Sequence, residues 1–361
     1  MKKSIKVASK NYFSVNAKGG WRAFTTCAGL NRGLRAFITR AGLILGNSLL
    51  LLFFIFLHCP LFASQTKPAY DIVVAADGTG NYRTIGEAIN AIKDSSEKRI
   101  LVYIKNGVYK EKLLIPTSKT NVTFLGENVN ETIITYDDHK GKGDIETPTS
   151  YTVFVLANDF RAENITFENS AGRFAGQAVG LRVDGDRCEF VNCRIVGNQD
   201  ILLTNGKYAR QYYLNCYIEG TTDFIFGPST AVFDKCIIVC KKNSYITAAS
   251  TPEDAKYGYV FLHCTIKADS SYRQVYLGRP WRPYAKVVYI DCWMGGHIQP
   301  EGWHNWNTTE PSKTAFYAEY KNTGPGYQPE SRVGWSHQLT DAEAKEYTVD
   351  KIFGDWKPGN H

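Results

Sequence analysis

The sequence predicts an all-β chain wound as a parallel β-helix, a solenoid with a short capping helix in front and a loop-rich tail behind. Three observations carry this. An aromatic-x-x-Cys motif recurs at solenoid spacing, the body lacks helical periodicities long enough to alternate with strands, and one helical pattern stands alone near the front.

Taken in chain order, the first segment is an address rather than a fold. Residues 1–64 carry nine Lys or Arg and no acid, residues 41–57 form an apolar run, and the small residues Ala63 and Ser64 follow. Basic, apolar, then small is the secretory pattern, so residues 1–64 are expected to be a signal peptide or an uncleaved signal anchor, and residues 70–361 the folded body. A secreted, periplasmic or cell-envelope location follows, with no stable membrane partner unless the leader is retained. The net charge of +7 belongs to that leader: without its nine cations, 33 basic residues face 35 acidic ones. A nucleic-acid partner is therefore disfavoured. With 43% hydrophobic and 21% charged residues the composition is globular, which excludes a disordered chain.

The front helix is expected around Thr84, with apolar residues at 85, 88, 89 and 92 and Glu87 placed to complete a capping box. It would cover the open end of the first coil. The repeat then runs through Phe190-Val-Asn-Cys193, Tyr213-Leu-Asn-Cys216, Phe233-Asp-Lys-Cys236, Phe261-Leu-His-Cys264 and Tyr289-Ile-Asp-Cys292, with Cys spacings of 23, 20, 28 and 28 residues. Stacked in register, these cysteines would form an inward ladder of reduced thiols. Seven cysteines in the body cannot all pair with one another, and no CxxC pair suggests a metal.

Four strings carry chemistry: Gly176-Gln177-Ala-Val-Gly-Leu181, Gly197-Asn-Gln199-Asp200-Ile-Leu202, Gly220-Thr-Thr-Asp223-Phe-Ile-Phe-Gly227 and Leu277-Gly-Arg279-Pro-Trp281. Asp200 and Asp223 are 23 residues apart, about one coil, which can place both carboxylates on adjacent rungs of one face. Two carboxylates so close split their proton affinities into an acid and a base. Asp223 sits in an apolar stretch and needs a partner, for which Arg279 is the best candidate, held bidentate to keep Asp223 ionised.

These strings resemble those of the pectin methylesterases, and further segments agree in order: Asp77-Gly-Thr-Gly-Asn-Tyr-Arg-Thr-Ile85, the GxYxE string Gly107-Val-Tyr-Lys-Glu111, and the PEGWxxW string Pro300-Glu-Gly-Trp-His-Asn-Trp306. The resemblance spans about residues 70–355. It implies a right-handed parallel β-helix and hydrolysis of the methyl ester at C6 of galacturonosyl units in methylated homogalacturonan, without metal or other cofactor. By position, Asp223 resembles the nucleophile, Gln177 and Gln199 the oxyanion donors, Asp200 the general acid and base, and Arg279 the residue that orients the nucleophile. Trp281 resembles a sugar platform; Phe174, Tyr276 and Trp303 are weaker groove candidates. Two positions depart from the pattern, Gly180 in place of Ala and Ile201 in place of Thr, and the segment at 205–208 is about two residues longer than in common plant sequences. The short prefix lacks an inhibitor-like pro-region, which points to a bacterial-type enzyme, expected to be monomeric.

Two other readings differ in their requirements. A β-helical polysaccharide lyase would need calcium and a cage of acidic ligands, whereas here the acids come paired with Gln. A binding-only β-helix would be expected to lose one of Asp200, Asp223 or Arg279, and all are present.

Overall fold

The computed structural model describes residues 70–306 and 310–359. The expected leader lies outside the described residues. Within them no helix is long and apolar enough to cross a membrane. Three parallel sheets of eleven, seven and eight strands account for the strands of the described residues. From Ile100–Ile104 through Trp293–Met294 the chain visits them in strict rotation, and the first strand and the last two belong to the eleven-stranded sheet. In one coil, Arg210–Leu214 lies in the eleven-stranded sheet, Tyr217–Gly220 in the eight-stranded sheet and Ile225–Gly227 in the seven-stranded sheet. Thr230–Asp234 then returns to the first sheet, beside the strand where the coil began. This is the parallel β-helix that the repeat predicts.

The repeat residues explain why the coils stack. Phe190, Tyr213, Phe233, Phe261 and Tyr289 pair in register through four successive rungs. Their rings stack at centroid distances of 5.0, 4.8, 4.6 and 4.3 Å, close to the spacing between neighbouring strands. Three residues on, each cysteine is buried and unpaired. Its thiol donates to the carbonyl of the in-register residue one coil earlier, which is Ala162 for Cys193 and aromatic for the rest: Cys216 Sγ to Phe190 O at 3.3 Å, Cys236 Sγ to Tyr213 O at 3.3 Å and Cys264 Sγ to Phe233 O at 3.2 Å. The residue just before each cysteine turns the corner in the left-handed region, with φ 49° at Asn192, 53° at Asn215 and 52° at Asp291, a conformation that Asn and Asp tolerate better than most side chains.

The front helix spans Ile85–Ala91 and closes with the expected capping box: Thr84 Oγ1 accepts from Glu87 N, and Glu87 Oε2 accepts from Thr84 N. It buries Ile85, Ala88 and Ile89. Glu111 of the GxYxE string adds a second cap, its two carboxylate oxygens accepting from the N–H groups of Ile85 and Gly86 at 2.9 Å each. That string is thus a fastening between helix and first coil, favoured by the positive end of the helix.

Candidate active site

The corner between the eight-stranded and the seven-stranded sheet positions both aspartates. Asp200 follows the strand Arg194–Val196, Asp223 follows Tyr217–Gly220, and each leads into the next strand of the seven-stranded sheet. The backbones continue the rung pattern, Asp200 N donating to Thr222 O and Asp223 N to Tyr245 O. Both residues are left-handed, with φ 60° at Asp200 and 48° at Asp223. The cysteine corners of the solenoid take the same conformation, one that Asp tolerates. One residue before Asp200, Gln199 forms a parallel bridge with Gln177 on the preceding coil, which sets the two amides side by side.

The seven-stranded sheet supplies the floor. Leu203, Phe226, Ala248 and Arg279 pair in register across four strands, and the first three join Val179 in a small apolar cluster outside the solenoid core. Trp281 and Trp306 pack partly buried against it. Arg279 reaches from the end of this row to Asp223 in a bidentate pair, Nε to Oδ1 at 3.1 Å and Nη2 to Oδ2 at 2.7 Å. Its guanidinium lies between two rings, 4.0 Å from the centroid of Tyr245 and 3.9 Å from that of Trp306. Stacking on both faces and a fork-to-fork pair leave the carboxylate little rotational freedom.

Electrostatics separates the two acids. Burial, reinforced by the charge of Asp223, pushes Asp200 well above the usual carboxylate range. Burial also raises Asp223, but the hydrogen bonds and charge of Arg279 oppose it. Arg279 thus acts in the direction that the sequence suggests, favouring the ionised form of Asp223 against the effect of burial. The pair is ordered, with Asp200 the more strongly protonated member.

Gln177, Gln199, Asp200, Asp223, Arg279 and Trp281 all line one cleft of about 460 Å³. The weaker groove candidates fall elsewhere. Phe174 stands on an exposed loop, 96% accessible, and Tyr276 stacks on Tyr245 at 5.5 Å; neither lines the cleft. Trp303 is a correction: it is fully buried, its ring packed against Tyr289 and Tyr317 inside the solenoid, so it has no face to offer a sugar. Its neighbour in the same string, Trp306, is the one in the cleft. Sequence reasoning also missed Tyr245 and Lys140. Tyr245 belongs to no motif; Lys140 lies on a loop whose backbone N–H donates to Gln177 O, a contact without a local signature.

The departures from the family pattern are coupled. A Cβ on Gly180 would lie 2.7 Å from Cδ1 of Ile201, so the larger side chain at 201 fills the space that the smaller residue at 180 leaves. The longer segment at 205–208 borders the cleft through Asn205, whose Nδ2 donates to Asp184 Oδ2 at 2.9 Å.

With this geometry in place, comparison with known proteins is decisive. The Pectinesterase family profile matches residues 71–355. The chain belongs to the pectinesterase family. It is 40% identical over 284 residues to pectinesterase 31 of Arabidopsis thaliana, covering 76% of this chain and 89% of that protein. Among solved structures it matches the pectin methylesterase from carrot with a TM-score of 0.76 and 35% identity, over 80% of this chain and 94% of that one. It also matches a pectin methylesterase in complex with a hexasaccharide, with a TM-score of 0.70 and 30% identity, over 80% and 98%. Arabidopsis and carrot are plants, against the bacterial-type expectation. That expectation rested on a short prefix, and a pectinesterase from a plant that this chain covers to 89% shows that prefix length does not separate the groups.

Proposed function

We propose that this pectinesterase removes methyl esters from C6 of galacturonosyl units of pectin by nucleophilic catalysis from Asp223. The observation that carries this reading is the Asp223–Arg279 pair beside the more strongly protonated Asp200. Each Asp223 oxygen bonded to Arg279 keeps a further lone pair. One oxygen attacks the ester carbonyl carbon, and the side-chain amides of Gln177 and Gln199 donate to the oxyanion that forms. Asp200 gives its proton to the departing methoxy oxygen, so methanol leaves and an acyl-enzyme anhydride remains. Asp200, now a carboxylate, takes a proton from water as the water oxygen attacks that carbonyl. Collapse releases the galacturonate carboxyl group and regenerates both aspartates. Trp281 and Trp306 offer ring faces to the apolar side of the pyranose.

Residues 70–361 form the catalytic domain in this reading, acting as a monomer outside the cell after export by the leader. Activity falls at acid pH as Asp223 takes up a proton and at alkaline pH as Asp200 loses its own. Methanol release from methylated pectin in the presence of a chelator tests the proposal. Methanol without unsaturated sugar ends is expected; calcium-dependent unsaturated ends would replace the esterase reading by a lyase.

A further inference from the structure

A second cavity, of about 460 Å³, lies on a different wall of the solenoid, and none of its lining residues belongs to the catalytic cleft. Lys267 and Trp293 come from the last two coils of the eight-stranded sheet, where Thr265 pairs with Trp293. Gly295, Gly296 and His297 form the turn that follows, and Arg273 comes from the loop leading to the strand Tyr276–Pro280, which carries Arg279.

Its chemistry is cationic with one aromatic face. Neither Lys267 nor Arg273 forms a salt bridge among the described residues, and Arg273 uses Nη1 only on the neighbouring Tyr272 carbonyl. The two cations come from different elements, a strand and a loop, and both line this cavity. Trp293 is 42% exposed, a large aromatic left open to solvent. His297 is 4% exposed, and its Nε2 is buried without a hydrogen-bond partner among the described residues. Burial, helped by the charge of Arg273, lowers its pKa to about 4, so at neutral pH the ring is uncharged and orphaned rather than a third cation.

We propose that this cavity is a second carbohydrate site, which binds an already de-esterified galacturonate unit of the polymer. The carboxylate pairs with Lys267 and Arg273, and the pyranose lies on the Trp293 ring. A methyl-esterified unit, being neutral, gains nothing from the two cations, so the site selects product over substrate. Along the solenoid axis the cavity lies two to three coils beyond Asp223, about 10–15 Å at about 4.8 Å per rung. A chain whose earlier units have lost their esters would be held here while the next unit enters the cleft.

This inference rests on the pectin reading, and its test separates the two. The full chain is titrated calorimetrically with fully de-esterified trigalacturonate, alongside the double variant Lys267→Glu, Arg273→Glu, and methanol release is measured in both on a short methylated oligomer. The expected result is that the double variant binds one molecule fewer per chain, or binds it at least about tenfold more weakly, a change of about 1.4 kcal/mol, with methanol release unaltered. Trp293→Ala weakens the same binding event, which distinguishes a sugar from a bare anion. Equal stoichiometry and affinity in wild type and double variant overturn the second site while leaving the esterase assignment standing. Absence of methanol release from the wild type overturns the esterase reading itself.

Discussion

Among the carboxylate–guanidinium pairs of the described residues, two of the same chemistry are finished differently. Arg332 and Glu319 are buried to 2% and 0% side-chain exposure. Arg332 gives Nε to Glu319 Oε2 at 2.7 Å and Nη2 to Oε1 at 3.2 Å, and then spends further donors on the carbonyls of Gln299, Pro300 and Gly326. Glu319 also accepts from Asn322. That pair ties the strand Phe316–Tyr320 to two loops at the end of the solenoid, with its hydrogen-bonding capacity largely used. Arg279 bonds only Asp223 among the described residues, its faces are covered by rings instead of carbonyls, and the carboxylate opens on a cleft with a second acid beside it. Saturation makes a fastening; the unsaturated pair retains lone pairs and donors for a substrate.

The comparison breaks most sharply at Asp223. Asp223→Asn should lower methanol release on the order of 10⁴-fold or more while the thermal midpoint holds, because the shape stays and the nucleophile goes. Substantial residual turnover would remove Asp223 from its assigned part. Arg332→Ala should do the reverse, costing about 3–5 kcal/mol in denaturant unfolding by stranding Glu319, with turnover per folded molecule unchanged. An intact midpoint would mean that the pair fastens nothing. Arg279→Lys keeps the charge and loses the fork, so kcat should fall about 10²-fold through misplacement of the carboxylate, with KM nearly unmoved.

The smallest effect is on stability. The folded pKa of Asp200 is raised, so its contribution is fully present below the unfolded value and lost as pH rises through the folded one. Asp200→Asn removes that loss, at about 1.4 kcal/mol per unit of pKa elevation. The variant should therefore melt above wild type at neutral pH, and the gap should close below about pH 4, near the unfolded carboxylate value. A gap independent of pH would show that Asp200 titrates normally.

The helix cap at Thr84 and Glu87, the stacked aromatic residues and the cysteine row were legible because each is a periodic or local pattern, and in-register stacking of parallel strands turns a repeat in the chain into a row in space. The same logic brought Asp200 and Asp223 to one corner and Gln177 beside Gln199. Irregular loops carry no such period. In Pro300-Glu-Gly-Trp-His-Asn-Trp306 nothing in the order of residues says which tryptophan turns inward; Trp303 does, and Trp306 lines the cleft.

By itself, then, the sequence determined the winding, the register and the identity of the polar groups at the corner, since those follow from spacing along the chain. Only the tertiary structure decided that Trp303 fills the core while Trp306 covers Arg279, that Tyr245 closes the other face, and that burial lifts both acids. Facing, enclosure and desolvation are properties of what surrounds a side chain, and in a solenoid those surroundings come from coils and loops distant in sequence.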